Sequence, residues 1–136
     1  MLLTFSKDQF KDKILDGTKI HTIRTDKSER WKRGMKIHFW RGNPRNTNAK
    51  IKPHQFHESH CTSVQKIQFV WRTVNEGMLN EGRAVQVWID GRNVTTDDQI
   101  IDALVKNDGF DSRKEFFEWF NEDFKGKLVH WTKLRY

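Results

Sequence analysis

Lys19, Thr22 and Arg24 are the residues whose types and spacing could do chemistry, in the run Gly17-Thr18-Lys19-Ile20-His21-Thr22-Ile23-Arg24. A lysine held near an arginine has its charged form disfavoured, so it can accept a proton. A threonine hydroxyl beside such a base can act as a nucleophile, and an arginine can hold a carbonyl oxygen or a phosphate. On a regular strand Thr22 and Arg24 share a face, whereas Lys19 and His21 fall on the other. Lys19 joins the pair only if the turn after Gly17 redirects it. Spacing alone fits an ordinary exposed strand, with a surface lysine and arginine, better than a cluster.

The elements around this triplet follow from periodicity and turn chemistry. Met1 to Phe5 reads as a strand. Ser6 with Gln9 fits a capping box, Phe10, Ile14 and Leu15 follow at helical spacing, and Gly17 supplies a left-handed stop, which predicts a helix over 7–16. Strands are expected over 19–24, 35–40, 61–74, 83–89 and 127–133, with Asp90-Gly91 as a hairpin-type turn. Thr96 with Gln99 and Ser112 with Glu115 read as the N-terminal boxes of two further helices. Residues 41–60, with their Gly, Asn and Pro, read as a long basic loop or a mobile hairpin. The order predicts one α+β domain over 1–136, with mostly antiparallel strands, about three helices and enough short strands for a small barrel.

Charge is unevenly distributed. The 136-residue chain has a formal net charge of +7; residues 1–52 hold 14 Lys+Arg against 5 Asp+Glu, and residues 53–136 hold 11 against 13. The excess runs through Lys27, Arg30, Lys32, Arg33, Lys36, Arg41, Arg45, Lys50 and Lys52, which points to a polyanion such as nucleic acid. Six Trp and 10 Phe can carry a core despite only 35% apolar residues. The single cysteine, Cys61, cannot make an internal disulfide and suits a reducing compartment. The first residues do not read as a signal peptide, and no apolar run spans a membrane, so a cytoplasmic location is expected.

His54, His57 and His60 stand beside Cys61, but their spacing departs from the paired ligands of zinc sites. No metal or cofactor is expected. The tryptophans read as core or seam residues. Trp40 is the exception: it ends a strand next to Arg41, where an exposed ring could stack an unpaired base, as could Phe56.

Two blocks carry a family resemblance. The first is a helix ending at Gly17, then Lys19, Thr22, Ile23 and Arg24, then Trp31 and Gly34 before a strand. The second is Asn107-Asp108-Gly109-Phe110-Asp111-Ser112 running into Glu115-Phe116-Phe117-Glu118-Trp119-Phe120. Together they resemble the ASCH domain family, in the expected order. The resemblance implies a PUA-like β-barrel similar to domains that bind modified or folded RNA. It also implies a second possibility, since some members are amidohydrolases that deacetylate N4-acetylcytidine. On that pattern Lys19 is the proton acceptor, Thr22 the nucleophile, and Asp108 stands where those members carry a glutamate proton donor. The first expectation is an RNA-binding or RNA-processing module, with Arg24, Arg30, Lys32, Arg33, Trp40 and Arg41 meeting the nucleic acid. The alternatives are a hydrolase acting on a modified nucleoside and a protein-interaction module whose basic face binds an acidic partner.

Overall fold

The computed structural model describes residues 1–74 and 82–136. Its elements in chain order are β1 (Leu2–Phe5), α1 (Asp8–Leu15), β2 (His21–Arg24), β3 (Lys36–Arg41), β4 (His54–His60), β5 (Ser63–Val74), β6 (Gly82–Ile89), β7 (Arg92–Asn93), α2 (Asp98–Asn107), α3 (Arg113–Trp119) and β8 (Phe124–His130). The class is α+β, with three helices and eight strands among the described residues.

The strands form two sheets, ordered β1-β3-β4 and β2-β8-β5-β6-β7. All ladders are antiparallel except β1 with β3. The chain passes from one sheet to the other across Cys61 and Thr62, between β4 and β5. Among the described residues no closed barrel forms. The edge strands β1 and β2 do not share a backbone ladder; a side chain bridges them instead, the Arg24 guanidinium donating to the Thr4 carbonyl at 2.8 Å.

Local sequence accounts for most boundaries. Gly17 has φ of +85°, a left-handed conformation that only glycine adopts without strain, and α1 stops there. The caps differ from expectation at two helices. Lys7, not Ser6, is the N-cap of α1 and makes no side-chain cap, and Asp97, not Thr96, caps α2 by accepting from the Ile100 amide. Asp ranks above Thr as an N-cap, and Asp97 one residue on takes that helix start. Ser112 caps α3 as expected. Of the two expectations for 41–60 the hairpin holds and the single loop does not: Arg41 closes β3, His54–His60 is β4 and pairs antiparallel with it, and the connection is 42–53. The Phe56 ring inside β4 packs on Phe5 and Phe39, a burial the polar flanking residues concealed.

The core lies between the sheets and under the helices. Phe39, Phe69, Phe116, Leu3, Ile37, Ile67, Ile89, Leu104 and Leu128 are fully buried. Phe69, Phe110, Phe116, Phe117, Phe120 and Phe124 pack as tilted and edge-on rings, which is how so few apolar residues fill the interior. No helix among the described residues is long and apolar enough to cross a membrane.

Candidate functional site

The backbone settles where Lys19 goes. The strand begins only at His21, so alternation does not reach Lys19. The Lys19 amide bonds to the Lys13 carbonyl and the Ile20 amide to the Asn107 carbonyl, both at 2.9 Å, pinning the turn between α1 and the end of α2. The Lys19 ammonium then donates to the Asp108 carbonyl and lies 3.4 Å from the Asp108 carboxylate. Gly109 completes the junction. Its φ is +93°, and a β-carbon there would sit 3.0 Å from the Lys19 chain and 3.2 Å from the Phe10 ring. A side chain at 109 would strain the backbone and press on the lysine chain and the Phe10 ring, which would have to give by a few tenths of an ångström.

Lys19, Thr22, Arg24 and Asp108 line one cavity of about 380 Å³, with Phe5, Phe10, Phe110, Trp119 and Phe120 as its aromatic walls and Thr4, Gly42 and Asn43 at its edge. Its volume and its apolar wall with a few polar groups suit a small ligand or one nucleotide base. Lys19 and Asp108 are each 2% exposed, whereas Trp119 is 48% exposed, so the polar groups sit deep and the indole stands at the mouth, with the Lys7 ammonium 5.1 Å from its ring centroid. The Arg24 guanidinium stacks over the Phe5 ring at 4.9 Å and donates weakly to the Thr22 hydroxyl at 3.4 Å. Lys19 lies 5.1 Å from the Phe10 ring centroid.

Burial sets the electrostatics. Desolvation is the main cause that lowers the Lys19 ammonium to about 8; Asp108 opposes the shift and Arg24 adds to it. Arg24 is thus a secondary cause, not the main one. Keeping Lys19 charged costs stability below about pH 8, and that cost fades as pH rises toward the ordinary lysine value. Burial also lowers the Arg24 guanidinium, with Asp108 opposing.

Behind the cavity lies a polar network that sequence reading missed. His21, fully buried, places Nδ1 3.1 Å from the same Asp108 oxygen and Nε2 2.6 Å from the Tyr136 hydroxyl. Desolvation lowers His21, so the ring is neutral at neutral pH. Its partners then fix the tautomer: Nδ1–H donates to the carboxylate and Nε2 accepts from Tyr136, whose oxygen in turn accepts from Asn107 at 3.1 Å. Gln65 binds the Tyr136 backbone through both its amide atoms, at 2.7 and 2.9 Å, and accepts from His130 at 3.0 Å. Desolvation lowers His130 to about 3, and its Nδ1 has no partner among the described residues. The available signal for this network was polar residues on the inward-facing side of the strands: His21 stands directly opposite His130, and Gln65 is two residues along β5 from Ser63, the residue opposite His130.

The other candidate residues are distributed differently. Arg30 lines an adjoining cavity of about 510 Å³ that shares Thr4 and Arg24 with the first. Lys32 and Arg33 line a separate one with Cys61, Lys133 and Arg135. Arg41 is held at 2.7 Å by Asp8 of α1. Trp40 lies half-buried between Thr4 and Gln55 in its sheet and does not line the site cavity. Among the described residues no three His, Cys, Asp or Glu side chains gather as a metal site. His54 instead lies 3.1 Å from the Lys11 ammonium. Comparison with protein-family models, curated proteins and solved structures gives no match for this chain.

Proposed function

We propose that the chain binds RNA by drawing one unstacked base into the cavity of Lys19, Thr22, Arg24 and Asp108. The observation that carries this reading is the combination of an exposed Trp119 at the mouth with buried hydrogen-bonding groups beneath it. Aromatic faces stack unpaired bases, and fixed polar groups below can read their edges. Arg24 and Arg30, which share the adjoining cavity, supply positive charge for the phosphates on either side of that base. The reading includes the ASCH resemblance and a PUA-like fold in which the two sheets stay open among the described residues. What supports it is that Lys19 and Thr22 of the first sequence block and Asp108 of the second line the same cavity. A cytoplasmic location fits the same reading. Binding of labelled single-stranded RNA at increasing salt tests it. Affinity is expected to fall steeply with salt and to drop about tenfold or more in Arg24→Ala. Binding that ignores salt, or an Arg24→Ala variant that binds like the wild type, would overturn it.

One observation favours a second reading, an amidohydrolase acting on an acylated nucleoside: a lysine lowered to about 8 shares the cavity with a threonine hydroxyl. In that reading the Thr22 oxygen bonds to the acetyl carbon while its proton passes to neutral Lys19. The carbonyl oxygen takes up the electron pair beside Arg24. The carbon–nitrogen bond then breaks, the proton reaching the leaving amine by way of Asp108, and water releases acetate from Thr22. Incubation with N4-acetylcytidine decides the matter. The reading requires cytidine to appear, at a rate that rises through about pH 8 as Lys19 loses its proton, and turnover to vanish in Lys19→Ala. Absence of cytidine with the wild type removes it.

A further inference from the structure

The side of the five-stranded sheet that bears Thr22 and Arg24 carries a second set of features. In register across three strands, Arg24 of β2 lies beside Lys127 of β8, which lies beside Lys66 of β5. The neighbouring row on the same side runs Lys125 of β8, Gln68 of β5, Trp88 of β6 and Asn93 of β7. Residues opposed in a ladder share a sheet face, so the two rows form one surface. A hollow of about 420 Å³ opens on it, lined by Trp88, Gln68, Lys27, Lys66, Lys125 and Lys127, with Asp26 and Glu29 also on its wall.

The acids offset part of this charge but, among the described residues, leave three of the lysines free of an ion pair. Both Asp26 oxygens are taken by the Arg30 and Trp31 backbone amides, at 2.8 and 3.1 Å, and Glu29 lies 3.6 Å from Lys127. Among the described residues Lys27, Lys66 and Lys125 form no ion pair. A half-buried indole, a side-chain amide and unpaired lysines on an open sheet face are the elements that hold a single strand: a ring for a base and cations for the backbone. Arg24 belongs both to the site cavity and to the first row. Strands are spaced about 4.8 Å apart, so Trp88 lies roughly 15 Å from Arg24, within reach of a few extended nucleotides.

We propose that this sheet face is a second contact for single-stranded RNA, in which Trp88 stacks one base and Lys66 and Lys125 hold flanking phosphates of the strand whose other base enters the Arg24 cavity. The proposal rests on the RNA-binding reading and extends its footprint across the sheet. It requires affinity to depend on RNA length through Trp88. The test compares oligouridines of about three and about ten nucleotides against wild type, Trp88→Ala, the double variant Lys66→Glu/Lys125→Glu, and Arg24→Ala. Both sheet variants are expected to lose about tenfold in affinity for the longer RNA and to keep wild-type affinity for the shorter one; the double variant should also show a salt slope smaller by about two. Arg24→Ala should lose both lengths. Because Lys66 and Lys125 are exposed, the double variant keeps the test valid if Trp88→Ala does not fold. Sheet variants that bind the longer RNA like wild type, while Arg24→Ala loses it, overturn this inference and leave the base cavity standing. Equal losses for both lengths, or polyglutamate competing as well as RNA, also overturn it. A wild type that binds neither length removes the RNA reading and this inference with it.

Discussion

The cavity behind Trp119 and the basic stretch from Lys27 to Lys52 both looked like functional regions, yet they are built in opposite ways. In the cavity, Lys19, Thr22 and Asp108 are buried, Arg24 is half-buried, and hydrogen bonds brace them in pairs. In the basic stretch the cations spread over different surfaces. Arg30 borders the cavity, Lys32 and Arg33 line another hollow, and Arg41 is taken by Asp8. Charge clustered along a chain is therefore not charge clustered in space. A buried polar group must find partners or it destabilises the fold, so its geometry is fixed by the structure around it. An exposed lysine is under no such constraint.

The largest effect expected from this contrast is on stability. Asp108→Ala leaves the buried Lys19 and His21 without their shared carboxylate and should cost about 3–5 kcal/mol in urea denaturation. Lys32→Ala with Arg33→Ala should change stability by less than about 0.5 kcal/mol. Equal losses would erase the distinction. Next is the aromatic face. Trp119→Ala should weaken RNA binding about tenfold, as loss of one stacking platform does, whereas Trp40→Ala should leave affinity within about twofold. The reverse order would return the stacking role to Trp40.

Acidification probes the network behind the cavity. His21 and His130 are held below the ordinary histidine value by burial, so the unfolded chain takes up protons first as pH falls. Stability is complete above about pH 6.5 and declines below it, by at most about 1.4 kcal/mol per pH unit for each ring. For His130 the decline continues toward about pH 3. Denaturation midpoints at neutral and mildly acid pH should show a shallower slope in His130→Gln; an unchanged slope would mean that this ring does not titrate on unfolding. A more modest effect is expected of Tyr136→Phe, which removes the hydrogen bond to His21 and should cost about 1 kcal/mol.

Much of this arrangement was legible in the sequence, for identifiable reasons. Periodicity and turn residues located the helices and most strands, because Gly17, Asp90-Gly91 and Ser112 each satisfy a local backbone requirement. The convergence of Lys19 with Thr22 and Asp108 was not readable from spacing, since alternation pointed Lys19 away. What redirects it is a pair of long-range backbone bonds, from Lys19 to Lys13 and from Ile20 to Asn107, and no local pattern reports the second. Trp119 sits among helical aromatics and reads as core; only tertiary packing leaves it about half exposed while it lines the cavity. His21 and Tyr136 meet across 115 positions, beyond any spacing rule. The strand His54–His60 was obscured by polar residues, because β4 is an edge strand whose other side faces solvent.

The central claim is that RNA meets the protein at this cavity, and photo-crosslinking with a thiouridine-bearing oligonucleotide tests it most directly. Mass spectrometry of the digested adduct should find crosslinks on peptides carrying Phe10, Phe110 or Trp119, reduced in Arg24→Ala. Crosslinks confined to residues 30–33 and 132–135, with none at the cavity, would contradict it and assign RNA binding to the exposed cations instead.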